Sequence, residues 1–111
     1  MKPMVINRHR WPKGVKCKDC VYVGRGSRWG NKFKIGEHGT REEVIARYKQ
    51  WLAGSPELWE GLWNLRGKHL VCYCAPLACH ADVLLMLASL PRHRLRNYID
   101  RGVLGDYIRE W

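Results

Sequence analysis

Apolar positions fall into short extended runs before residue 40 and into helical stripes after it. Met4 to Asn7 reads as a short strand, and Val21-Tyr22-Val23 as a second β-prone run. Phe33 to Ile35 is expected to add a third short extended piece. Between them lie a loop from Arg8 to Lys18, broken by Pro12 and Gly14, and a glycine-rich loop from Gly24 to Asn31. Gly36 to Gly39 reads as a turn. Thr40-Arg41-Glu42-Glu43 is a capping box, in which the Thr hydroxyl accepts from the amide three residues on and Glu43 reaches back. Val44, Ile45, Tyr48, Trp51 and Leu52 follow at spacings of three and four, the stripe of a helix that ends at Gly54.

Ser55 and Pro56 suit the N-cap and first position of a second helix, with Leu58, Leu62 and Leu65 on one face and Gly67 as its stop. His69 to Cys74 has little polar alternation, as in a strand covered on both faces. Ala75 to Ala78 is a loop, and a leucine-dense third helix runs from Cys79 or His80 to Leu90, before Pro91. Leu95, Tyr98 and Ile99 predict a shorter fourth helix ending near Gly102, and Leu104, Tyr107, Ile108 and Trp111 a tail that docks on the body. The expected fold class is α/β: a small single-domain, three-layer-like fold with a short, mostly parallel central sheet flanked by three to four helices.

Composition narrows this. A chain of 111 residues is one domain, and 46% apolar residues with six Trp can fill one modest core, which excludes disorder despite a net charge of +10. No apolar run reaches the roughly 18–20 residues of a membrane helix, and the start lacks a signal-peptide core. A cytoplasmic location is therefore expected, with no membrane partner. Five cysteines, an odd number, argue against a closed disulfide framework and for thiol, metal or core roles.

The charge is local. Residues 1–34 hold ten Lys or Arg and one acid, residues 35–90 five bases and six acids, and residues 91–111 five bases and three acids. Such a basic segment attracts polyanions through counterion release. A nucleotide or nucleic acid is the first expected partner, an acidic protein the second.

Cys72-Tyr73-Cys74-Ala75-Pro76-Leu77-Ala78-Cys79-His80 carries the candidate chemistry. Cys72 and Cys74 share a strand face, and Cys79 and His80 stand where the next helix begins. Three readings compete. In the first, helix amides and dipole favour an anion and lower a thiol, so that Cys74 or Cys79 is a nucleophile with His80 as partner; these three are the catalytic candidates. In the second, zinc is held by Cys72, Cys74, Cys79 and His80, with Cys17-x-x-Cys20 able to supply a further pair. In the third, the cysteines only pack. No cofactor is expected on the first reading; zinc is the alternative.

The loop Gly24-Arg25-Gly26-Ser27-Arg28-Trp29-Gly30-Asn31 follows a strand. Its arginines can hold phosphate in a fork, and Trp29 can stack on a base. Arg25, Ser27, Arg28, Trp29 and Asn31 are the candidate ligand-binding residues; the alternative is a tight turn with solvated arginines and Trp29 tucked into the core. If the two strands are parallel neighbours, both loops meet in one pocket, with Asp82 as a further partner of His80.

These motifs, taken with Gly39-Thr40-Arg41-Glu42-Glu43 and the run from Leu70 to Leu84, resemble the domain-of-unknown-function family numbered 4326, found in bacteria and their phages. The resemblance spans about residues 4–90. It implies a family-like domain over residues 1–90 and a helical C-terminal extension over residues 91–111. The chain departs from the family pattern at Lys32, Tyr73 and Ala81, where Pro, Trp and Gly are usual. The cysteine segment is similar, more distantly, to a family with a Cys-His-Arg motif, in which Ala81 replaces the Arg. A phage setting implies an alternative role, a non-enzymatic protein that binds an acidic host factor, with Arg92, Arg94, Arg96 and Arg101 as a separate surface. The first expectation remains a small basic nucleotide- or nucleic-acid-binding protein with a Cys/His pocket; a zinc-stabilised domain is the third.

Overall fold

Three short runs pair into one parallel sheet in a computed structural model that describes residues 2–10, 17–74 and 77–111. They are β1 (Val5–Asn7), β2 (Cys20–Tyr22) and β3 (His69–Cys72), in the order β1-β3-β2. The register sets Val5 opposite Leu70 on one side and Val21 opposite Leu70 on the other. β3 is therefore central, and its Leu70, Val71 and Cys72 are buried, which explains its missing polar alternation. The ladder continues past β2, where Val23 N–H donates to the Val71 carbonyl at 2.9 Å. Residues 11–16, within the expected Arg8–Lys18 loop, and residues 75–76, within the loop after β3, lie outside the described residues.

Parallel neighbours need crossovers, and helices supply the one from β2 to β3. α1 (Arg41–Ala53) begins at the capping box, with Glu43 N–H donating to Thr40 Oγ1 at 3.2 Å and Thr40 N–H to Glu43 Oε1 at 3.0 Å. Those bonds to Thr40 hold the Glu43 carboxyl below its ordinary value. Val44, Tyr48 and Leu52 form its buried stripe.

The single helix expected after Ser55 is instead two short ones, α2 (Pro56–Trp59) and α3 (Leu62–Leu65). Gly61 marks the break, and the Trp29 ring lies so close that a Cβ there would sit 2.8 Å from it. Ser55 does not cap: its hydroxyl donates back to the Trp51 carbonyl at 2.7 Å. The extended piece expected at Phe33–Ile35 is also corrected. Its backbone bonds are local, Lys34 N–H to His38 Nδ1 and His38 N–H to the Lys34 carbonyl, both at 2.8 Å, so the segment folds on itself rather than joining a ladder.

After β3 come α4 (His80–Ala88), α5 (Arg92–Asp100) and α6 (Leu104–Arg109). α4 packs on β1 and β3, and α6 on α1. Gly105 permits the second contact, since a Cβ there would lie 2.5 Å from the Ala53 carbonyl oxygen. Leu95, Leu104 and Ile108 join the same core as Leu52, Leu70 and Leu84. Among the described residues, no helix is long and apolar enough to cross a membrane.

Candidate functional site

β2 and β3 run side by side in one direction, so the loops leaving their C-terminal ends meet on one sheet edge, where open parallel sheets bind ligands. Two hydrogen bonds tie the corner together. His80 Nε2 donates to the Val23 carbonyl at 2.6 Å, and Arg41 Nη1 donates to the Ala78 carbonyl at 2.8 Å. A carbonyl only accepts, so the proton of neutral His80 sits on Nε2. Between the loops lies a cavity of about 390 Å³. Among the described residues its charged lining is Arg25 and Arg41, with no carboxylate. Tyr22, Phe33 and Tyr73 add aromatic walls, and Cys72, Cys74 and Cys79 add sulfur.

The glycine-rich loop is two linked turns. Ser27 N–H and Oγ–H both donate to the Gly24 carbonyl, at 3.1 and 2.6 Å, and Gly30 N–H donates to the Ser27 carbonyl at 3.1 Å. Gly26 has φ 92°, a left-handed position that favours glycine. The loop is anchored on α1. Tyr48 Oη–H donates to the Trp29 carbonyl at 2.8 Å, and Asn31 Nδ2 donates to the Val44 carbonyl at 3.1 Å. Tyr48 also sets its ring edge-on to His80, centroids 5.0 Å apart.

Of the two readings of Trp29, the structure takes the core one. It is 4% exposed and belongs to the core, so its ring anchors the loop and is closed to a stacking base. Arg25 and Arg28 remain exposed. The expected single pocket is also divided. Arg25, Asn31, Cys74, Cys79 and His80 share the cavity, while Ser27 and Arg28 face an adjoining groove of about 450 Å³. Lys32 and Lys34 line that groove too, with Glu57 its acid.

The sulfurs converge. The Sγ atoms of Cys72, Cys74 and Cys79 all lie within 4.8 Å of one another, with Cys72 and Cys79 at 3.4 Å. Cys79 is the N-cap residue of α4, and its N–H donates to the Asp82 carboxylate at 2.9 Å. Asp82 thus serves the helix start, not the His80 ring nitrogen bonded to Val23. The neighbouring Cys72 sulfur and burial push the Cys79 thiol well up, against the lowering expected of a helix N-terminus. Burial pushes His80 down, so the ring is neutral near pH 7. For Cys79, the sulfur partner is Cys72 at 3.4 Å, while His80 Nε2 is bonded to Val23.

The four-ligand zinc set changes as well. Among the described residues, the cluster with metal-binding geometry is the three cysteines without His80. Cys17 and Cys20 are joined in a disulfide and supply no second pair. Arg41 and the aromatic walls escaped sequence reasoning. Arg41 reads there only as a helix-start residue; its reach to Ala78 spans 37 positions.

A small parallel α/β protein is thus defined, with a basic, sulfur-bearing cavity at the C-terminal edge of its sheet. The chain belongs to the family described as a domain of unknown function, DUF4326, which matches residues 6–90. An uncharacterized protein of Acanthamoeba polyphaga mimivirus is 24% identical over 131 residues, covering 96% of this chain and 100% of that protein. No solved structure matches the chain significantly.

Proposed function

We propose that the protein binds a nucleoside phosphate, with the base side in the cavity and the phosphate over Arg25 toward the groove. The observation that carries this is the junction: the aromatic-walled cavity and the lysine- and arginine-lined groove share Arg25 and Asn31. The cavity falls in the usual range of ligand sites, about 300–1,000 Å³. Arg25, exposed on a loop pinned at Trp29 and Asn31, offers a fork for phosphate. The α4 N-terminus contributes less, because Asp82 already takes the Cys79 amide.

A free nucleotide and the end of a nucleic-acid strand share this chemistry. Calorimetric titration separates them, with mononucleotides in one arm and short single-stranded DNA and RNA in the other. Saturable binding that Arg25→Ala weakens at least about tenfold supports the reading, given the strength of charge-assisted bonds. A steep loss of oligonucleotide binding with salt identifies a strand running along the groove. Absence of binding to all three at low salt overturns the reading.

A further inference from the structure

We propose that Cys72, Cys74 and Cys79 form a mononuclear site for a thiophilic metal ion, Zn2+, whose fourth corner opens into the cavity. Tetrahedral zinc with Zn–S bonds of about 2.3 Å places its sulfurs about 3.8 Å apart. The three sulfurs here bracket that spacing, from 3.4 Å between Cys72 and Cys79 to at most 4.8 Å across the set. Soft thiolate sets of this kind select zinc and copper(I) over oxygen-seeking cations.

Two of the three ligands are held by regular elements, and Cys74 by the loop between them. Cys72 is the last residue of β3 and Cys79 the N-cap of α4, two elements that pack on each other. Ligands held on regular elements keep their geometry better than ligands on loops. The charges are complementary in sign. Three thiolates around Zn2+ carry a net −1, set against Arg25 and Arg41 in a cavity that has no carboxylate among the described residues. His80 stays outside the set, held at Nε2 by Val23. Three protein ligands and one open position facing a cavity are the pattern of sites that bind water or a ligand at the metal. The metal would there be a Lewis acid at the cavity floor. This site stands independently of the nucleoside phosphate reading, because it is read with metal alone.

The test uses the full chain, reduced and stripped with chelator, then titrated with Co2+ and displaced with Zn2+. The expected result is one equivalent bound, with tetrahedral d–d bands and thiolate-to-cobalt absorption of three-sulfur strength. Cys74 is half-buried, so Cys74→Ser should fold; it is expected to weaken cobalt binding at least about 100-fold, more than typical outer-shell losses. The double variant Cys17→Ser/Cys20→Ser should leave binding unchanged, because that pair lies outside the cluster. Zinc should also protect Cys74 from alkylation, read by mass spectrometry on the unmutated chain. The proposal is overturned by no stoichiometric uptake, by uptake that survives Cys74→Ser, by loss in the Cys17/Cys20 double variant, or by alkylation of Cys74 indifferent to zinc.

Discussion

The loops after β2 and β3 leave the same sheet edge and are built in opposite ways. The first turns its charge outward: Arg25 and Arg28 are exposed, while the buried Trp29 anchors it from beneath. The second keeps its chemistry inward: Cys72 and Cys79 are buried, and its exposed Leu77 and Ala78 carry no charge. α1 holds both, Tyr48 bonding Trp29 in one and Arg41 bonding Ala78 in the other. The first loop is thus suited to meeting a charged ligand from solvent, and the second to holding something out of water. The difference teaches that two loops leaving one sheet edge take opposite exposures according to what packs beneath them.

The hardest test of this contrast is Trp29→Ala. Removing a buried indole should cost about 3–5 kcal/mol in denaturant unfolding. A cost under about 1 kcal/mol, typical of an exposed site, would show that the loop does not rest on this ring.

Tyr48→Phe comes next. It leaves the Trp29 carbonyl without its donor and should cost about 1–3 kcal/mol. Burial, with the neighbouring Cys79 sulfur, pushes the Tyr48 phenol up from its ordinary value. Above about pH 10 the unfolded chain sheds this proton while the folded chain keeps it. The phenol's contribution is therefore full below that pH and falls as pH rises. Tyr48→Phe lacks that slope, so its deficit should shrink in alkaline denaturation; a constant deficit would place the phenol in water.

A smaller effect is expected from Arg41→Ala, which touches only the second loop. Loss of the bond to Ala78 should cost about 1 kcal/mol. The alkylation rate of Cys74 should rise, and an unchanged rate would mean that Arg41 does not hold the loop.

The smallest effect on stability belongs to Arg25→Ala and Arg28→Ala. Each should stay within about 0.5 kcal/mol, as exposed substitutions do. They should differ in ligand binding: Arg25 lines both cavity and groove and Arg28 the groove alone, so mononucleotide affinity should fall only for Arg25→Ala. Equal losses would merge the two surfaces into one.

Much of the framework was legible because its causes are local. The Thr40 capping box needs only residues 40 and 43, and both of its bonds form. The uninterrupted apolar run at Leu70-Val71-Cys72 reports its own burial and so marks the central strand. A mostly parallel sheet was expected, but that β2 and β3 are neighbours in it was reachable only as a condition, since strand order is decided by contacts far apart in the chain. The misreadings arose where a distant partner decides. Phe33–Ile35 looks extended until His38 folds back on Lys34, and the helix after Ser55 looks continuous until Trp29 reaches Gly61. Trp29 itself has the composition of a ligand-binding residue and the position of a core one, because loop sequence does not say which side of a turn faces the body.

By itself, then, the sequence determined the α/β class, the first capped helix, the concentration of charge before residue 35 and the grouping of sulfur around one strand end. Periodicity, capping and net charge are properties of neighbouring residues, so they survive without a third dimension. Tertiary structure alone decided that Trp29 is an anchor, that His80 bonds Val23 across 57 positions, and that three cysteines converge while Cys17 and Cys20 pair with each other. Those outcomes depend on the β1-β3-β2 order, which brings segments distant in the chain to one edge. Burial, hydrogen bonding and sulfur spacing are fixed only there, where the partners meet.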